Sequence, residues 1–543
     1  MRFSTISANS LAILFISLAS IATAPGQTAK AKLNPNEPLE KYNMPPAYIY
    51  RLGTSPQMIS PYGVFTSYQV NVDAQGNNIL GDAANEPSIA VDPTNGNKMT
   101  IGWRQFNSVQ SDFRQGGWGY TTDAGVTWTF PGVLENNVFR SDPVLDSDDT
   151  GNFSYLSLRE TFYDDIWRSI NGGASWTRLT FGDVSGGDKQ WFTIDRTNGT
   201  GHGFQYQLWS TSGNNFGGRQ FSRSTDNGAT WMSPIFLPNS PVWGTLDVDS
   251  NGNLFIGGAA NFTSPFWCLR SSNAQNPAIT PTFDRVTQVD LGGSLDFSDT
   301  INPGGLAGQV FLAVDRSGGP TNNNVYMVAS VQPSGFGTGT DVMFVRSTDG
   351  GLTFSAPHRI NDDPINHNKW HWFGTLAVAP NGRIDSVWLD SRNAANNTDS
   401  QLFYSFSTDG GVTWAPNVAV SAAFTPFEGY PVQNKIGDYI TIVSDNTGGN
   451  VAYPATFNFN PSSSQHEQDV YFVRVSPTGG PTPTPTATAT ATPTATATAT
   501  ATPTATATAS STPSATPTIT PRPTPTPRSA PTVRPRPTPR PRP

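Results

Sequence analysis

The sequence predicts an all-β fold: a single β-propeller of four-stranded antiparallel blades, with seven blades expected, six as the alternative count, and an N-terminal strand closing the ring. Three observations predict it. An eight-residue turn string recurs in five near-copies, a strand-and-turn string recurs in seven, and the composition suits neither helices nor a disulfide scaffold. The 543 residues are only 13% charged and include 51 Gly and 46 Pro, which excludes a coiled coil or helical bundle. The single Cys268 permits no intrachain disulfide and no zinc cluster, so stability must come from a large core. The net charge is −8. Six arginines and no acid follow residue 480, so the rest of the chain is more acidic still, which argues against a nucleic-acid partner.

Taken in order, residues 1–24 read as an export signal, with Arg2, an apolar run over residues 11–22 and the small-residue site Ala22-Thr23-Ala24. Residues 25–62 form a leader before the ring, and residues 63–476 are assigned to the ring itself. Residues 477–543 are mostly Pro, Thr and Ala and end in Arg-Pro repeats. They bury too little apolar surface to fold, so a disordered stalk is expected, suited either to cell-wall or surface association or to a solubilising tail. The chain is therefore expected to be secreted or displayed at the cell surface.

Within the ring, the turn string reads TTDAGVTW (121–128), SINGGASW (169–176), STDNGATW (224–231), STDGGLTF (347–354) and STDGGVTW (407–414). Asp123, Asp226, Asp349 and Asp409 can fold back onto backbone N–H groups, and the glycine two residues on supplies the positive φ of a tight turn between antiparallel strands. The second string begins NEPSIAVDPTNG at residue 85. Its counterparts begin at residues 141, 188, 242, 308, 371 and 437, each an apolar strand ending in an Asp/Asn/Gly turn. Spacings of 47 to 66 residues give seven blades of similar size. The fourth blade has a broken turn string (RSSNAQNP, then Thr282-Phe283) and the seventh has none. VFTSYQVNVD (64–73) should supply the outer strand of the seventh, since an unclosed ring leaves an open sheet edge.

The turn string resembles the Asp box, the bacterial neuraminidase repeat of the sialidase superfamily. That resemblance implies a propeller with its Asp boxes underneath and its site on the opposite, top face, at the mouth of the central channel. Sialidases have six blades and use three arginines to clamp a carboxylate, an Asp as acid/base and a Tyr activated by Glu as nucleophile. The family's first arginine stands in an Arg-Ile-Pro motif, where this chain has Asn85-Glu86-Pro87, and none of the other candidates matches a family motif.

Inner-strand starts should bring Glu86, Asp142, Asp188 with Lys189, and Asp438 with Tyr439 to the top face. The loops between second and third strands should add Arg104, Arg159 with Glu160, and Asp390 with Arg392. Asp390, Asp438, Tyr439 and Asp188 are the candidates for catalysis. Arg104, Arg159, Arg392, Lys189, Glu86 and Asp142 are the candidates for holding substrate. Asp390 and Arg392 are expected to share one ligand with Asp438 and Tyr439, and Tyr430 with Glu428 offers a second nucleophile pair. No cofactor is required; calcium on Glu86, Asp142 and Asp438 is the alternative. His367 and His371 precede a strand and read as solvent-facing loop residues, not metal ligands. Trp191, Trp243, Trp370 and Trp372 suit blade packing first and sugar stacking second.

Two function classes follow: a secreted glycoside hydrolase, or a lyase, acting on acidic or hydroxyl-rich glycans, and a non-catalytic propeller that binds glycan or protein. A monomer is expected in either case, because the closed ring needs no second copy.

Overall fold

The computed structural model describes residues 53–179 and 184–477. The expected signal segment and most of the leader and tail lie outside the described residues.

Alternating apolar runs broken by Asp/Gly turns fold into seven antiparallel blade sheets, with two further two-stranded ladders beside them. The inner strands are Ala83–Val91, Ser141–Ser147, Trp191–Ile194, Leu246–Val248, Phe311–Val314, His371–Val378 and Thr441–Asp445. Each inner strand contacts the next, and the seventh contacts the first, so the sheets are blades of a closed ring. The fourth strand of the third blade is reduced to a bridge between Phe221 and Ile235. In the fifth blade an extra short strand, Gly293–Leu295, extends the inner edge.

The closing strand lies where the open-edge argument places it. Phe65–Gln69 pairs with Asp469–Val475, the third strand of the seventh blade, and Ile59–Tyr62 adds a fifth strand outside it. Blades are stitched at equivalent positions by hydroxyls: Ser88 Oγ accepts the Leu145 N–H at 2.9 Å, Thr245 Oγ1 that of Leu312 at 2.7 Å and Thr441 Oγ1 that of Ile89 at 3.0 Å.

The five repeat strings form one turn. In the first, Asp123 Oδ1 accepts the Thr127 N–H at 3.0 Å and Oδ2 accepts its hydroxyl at 2.6 Å, while Thr121 Oγ1 accepts the Gly125 N–H. Gly125 has φ +87°, and a Cβ there would meet the Phe472 ring at 2.1 Å, so conformation and space both demand glycine. Trp128 then packs against Phe472 of the seventh blade. Asn171 keeps the second turn by accepting the Ser175 N–H at 3.1 Å. The broken fourth-blade copy keeps it too: Asn273 Oδ1 accepts the Thr282 N–H at 2.9 Å across a longer loop.

Candidate functional site

A feature absent from the residue pattern positions the top face. The inner strands enter through a residue in the left-handed region, at φ 57° for Glu86, 47° for Asp142, 55° for Lys189, 52° for Trp243 and 56° for Phe373. In the fifth and seventh blades a glycine just ahead of the strand, Gly308 or Gly437, takes the positive φ. In the first, second and sixth blades the pairing register slips at this point, the mark of a β-bulge. Left-handed geometry in a non-glycine residue costs about 1–2 kcal/mol, so a feature repeated in five blades is sustained by the surrounding structure.

The entries to four of these inner strands gather a charged cluster. Lys189 Nζ lies 2.7 Å from Asp438 Oδ2, 3.1 Å from Asp142 Oδ2 and 3.6 Å from Asp188 Oδ1. Lys435 Nζ is 2.6 Å from the same Asp438 oxygen, whose partner Oδ1 accepts the Leu306 N–H at 2.8 Å. Glu86 Oε2 meets Arg104 Nε at 2.6 Å, and Arg114 donates to Ser141, which in turn donates to Asp142. All of these charged side chains are at most 3% exposed. Neither Asp188 oxygen has a hydrogen-bond partner among the described residues.

Burial and charge divide the acids. Burial pushes Glu86 up to about 8 against the pull of Arg104, and Asp188 up to about 6 against Lys189. Burial also disfavours the charged forms of Asp142 and Asp438, but Lys189 and Lys435 outweigh it and hold both below the usual carboxylate range. Lys435 is pushed down to about 8 by burial, whereas four carboxylates, Asp142, Asp188, Asp438 and Glu86, hold Lys189 well above its ordinary value despite burial. An aromatic layer adjoins the cluster. Trp191 sits edge-on to Tyr439 at 5.2 Å and to Phe311 at 5.3 Å, and Tyr439 donates its hydroxyl to the Pro143 carbonyl at 2.7 Å.

A hairpin-like loop after the fourth blade, bridged from Phe297 to Leu306, covers the mouth. Asn302 Nδ2 donates to Gly437 O at 2.8 Å, and the Gly304 N–H donates to Asn434 O at 2.8 Å. Beneath it lies a cavity of about 30 Å³ lined by Lys189, Lys435, Asp438, Phe297, Ser298 and Leu306. That is room for a water molecule, not a sugar.

The structure brings Glu86, Asp142, Asp188, Lys189, Asp438, Tyr439 and Arg104 together. It does not bring Asp390 and Arg392 to them: no hydrogen bond, ion pair or charge interaction joins Asp390 or Arg392 to Asp438 or Tyr439 among the described contacts. Asp390 instead accepts from Trp388 Nε1 and from Arg392 Nε and N–H, each at 2.8 Å. Arg392 continues to Asp362 at 2.6 Å. His371 belongs to this second cluster. It is 1% exposed, not solvent-facing, because it opens the sixth inner strand; its Nε2 lies 3.0 Å from Asp363 and 3.7 Å from Asp390. His367 is exposed and stacks on Phe336. Arg159 lies apart, 3.8 Å from Asp165, and Glu160 is exposed. Glu428 engages His466 Nδ1 at 2.7 Å, not Tyr430, whose hydroxyl has no hydrogen-bond partner among the described residues.

Lys435 and Arg114 belong to the site although nothing in their sequence context singled them out. Lys435 lies three residues before Asp438, which is the one local signal. Glu86, Asp142 and Asp438 face lysine and arginine nitrogens, which takes the charge a calcium ion would need, and among the described residues no group of three or more His, Cys, Asp or Glu is arranged to hold a metal ion. Trp243, Trp370 and Trp372 are buried in the blade cores, and Trp191 is half-buried.

No protein family profile matches the chain, and no curated protein matches it in sequence. Solved structures do. A protein of unknown function from Dyadobacter fermentans is 14% identical, over 75% of this chain and 98% of that one, with a TM-score of 0.41. An α-L-arabinofuranosidase from Fusarium graminearum is 11% identical, over 78% and 98%, at 0.38. The NanB sialidase from Streptococcus pneumoniae is 10% identical, over 76% and 70%, at 0.39. Each likeness concerns the fold alone. By its own seven-bladed ring, the chain is an all-β, seven-bladed β-propeller at the level of fold.

Proposed function

We propose that the channel mouth is the working centre of a glycan-directed propeller and that it performs acid–base chemistry as a glycoside hydrolase. One observation carries this reading: four blades deliver Glu86, Asp142, Asp188, Lys189 and Asp438 to a single cluster, three of them at left-handed backbone positions. A ring built only as a scaffold gains stability from an apolar plug, because buried ion pairs seldom repay their desolvation. The division between acids driven up and acids held down is the pattern of a proton donor beside a carboxylate that stays ionised. In this reading Glu86 donates the proton, Asp188 is the second acid, and Lys189 and Arg104 orient the substrate. The expected export signal places the activity outside the cytoplasm.

A second reading has its own observation. The complete burial of the cluster and the small cavity favour a non-catalytic ring that binds glycan or protein through its exposed loops.

A panel of chromogenic glycosides, run from pH 4 to 8 alongside a glycan array, tests both. Hydrolysis by the wild-type chain should fall at least about a hundredfold in Glu86→Gln and Asp188→Asn, the scale of losing a general acid or base. Hydrolysis untouched by both variants would move the centre elsewhere, to the Asp390 cluster first. Glycan capture with no turnover on any substrate would establish the second reading.

A further inference from the structure

The ring is fastened by two buried carboxylates that no cation answers among the described residues. Asp469 opens the third strand of the seventh blade and is fully buried. Its Oδ1 accepts from Asn71 Nδ2 at 2.7 Å and its Oδ2 from Asn458 Nδ2 at 2.6 Å. Glu467, 3% exposed, accepts the Gly81 N–H at 2.5 Å, Asn460 Nδ2 at 2.7 Å and Asn78 Nδ2 at 3.1 Å. Asn71, Asn78 and Gly81 all lie between the closing strand and the first blade, so these two acids tie the seventh blade to the segment that completes the ring. The titratable groups facing Asp469 are Glu467, Tyr471 and, through Tyr471, Tyr453, and none is basic. The nearby His466 turns away to Glu428.

We propose that this fastening is pH-sensitive: protonated Asp469 holds the ring shut, and its ionisation loosens the closing segment. The chemistry is one of donors and acceptors. Ionised, Asp469 places a negative charge among neutral amides with Glu467 close by, and burial leaves that charge poorly solvated. Protonated, it keeps both accepted amide bonds, and its contact with the Tyr471 hydroxyl, which donates to Oδ2 at 3.5 Å, can reverse so that the carboxyl donates. Burial accordingly drives the group up to about 7. Because the folded value lies above the unfolded one, near 3.8, the folded ring binds the extra proton between them. Stability therefore falls as pH rises from about 4 to about 7 and is flat above.

Thermal unfolding of the full chain from pH 4 to 8, wild type against Asp469→Asn, tests this. The wild-type melting temperature should fall across the window more steeply than that of Asp469→Asn, so that the variant is the more stable at pH 8. Parallel curves would overturn the proposal. If the variant does not fold, hydrogen exchange of the wild-type protein decides. The Val70 and Ala84 amides, which donate to Val470 O and Gln468 O across the closure, should lose about tenfold in protection at pH 8 relative to pH 5 after correction for intrinsic rates. Protection unchanged against amides of the fourth blade would refute it.

Discussion

The molecule carries two populations of aspartate that look alike in sequence and behave oppositely. In the underside turns, Asp409 is exposed; burial raises it, but together the Thr413 hydroxyl and N–H, the Ser407 hydroxyl and the Val412 N–H outweigh that and draw it down to about 2. At the channel mouth the acids are buried; Asp142 and Asp438, hydrogen-bonded to the lysines, stay low, while Glu86 and Asp188 rise. A turn aspartate is satisfied by residues within four positions of itself. A mouth acid such as Asp438 depends on residues far away in the chain, Lys189 and the Leu306 N–H. The first is therefore a local device and the second a product of ring assembly.

The sharpest break of this comparison is Asp438→Ala. It strands Lys189 and Lys435 without their shared partner in a buried site, which should cost about 3–5 kcal/mol in chemical denaturation. A loss below about 1 kcal/mol would mean that water reaches the mouth freely. Asp409→Ala removes a charged acceptor from an exposed turn and should cost less, about 1–2 kcal/mol, with ligand binding and any turnover retained.

A smaller effect separates the two populations by pH. The depressed turn aspartates Asp349 and Asp409 contribute stability above about 3.8 that is lost as pH falls toward 2. Glu86, raised from 4.5 to about 8, does the reverse and erodes stability as pH climbs between those values. In melting curves Asp409→Asn should blunt the acid edge alone and Glu86→Gln the alkaline edge alone. Equal blunting of both edges by either variant would merge the two classes. The smallest expected effect is a gain: Asn171→Asp restores a charged acceptor to the second turn and should add about 0.5 kcal/mol.

The fold was legible because its instructions are local. Asp-x-Gly-x-Thr strings specify turns, apolar runs specify strands, and the missing outer strand of the seventh blade left only residues 64–73 to fill it. The loop covering the mouth was not legible, since LDFSDTINPGG (295–305) has no repeat counterpart. Site membership was half legible. Glu86, Asp142 and Lys189 occupy one aligned position, and that alignment is what placed them together. Asp390 and Arg392 satisfy one another two residues apart, so their adjacency in sequence carried no information about the channel. His371 was misread because a histidine after a loop gives no sign that its ring folds inward onto Asp363. Arg114 matters through Ser141 of the next blade, which no local pattern reports, and Lys435 showed only its three-residue spacing from Asp438.

The closing strand has a mechanical consequence. Asp469–Val475 lies between Phe65–Gln69 on one side and Gly448–Ala455 on the other, hydrogen-bonded to both. A pull along this strand from the chain beyond Val475 loads two ladders in shear, so their bonds must yield together and not one by one. The same blade receives the chain on its way in and releases it on the way out. Force applied to either connection is therefore borne by one blade, and the other six carry little of it.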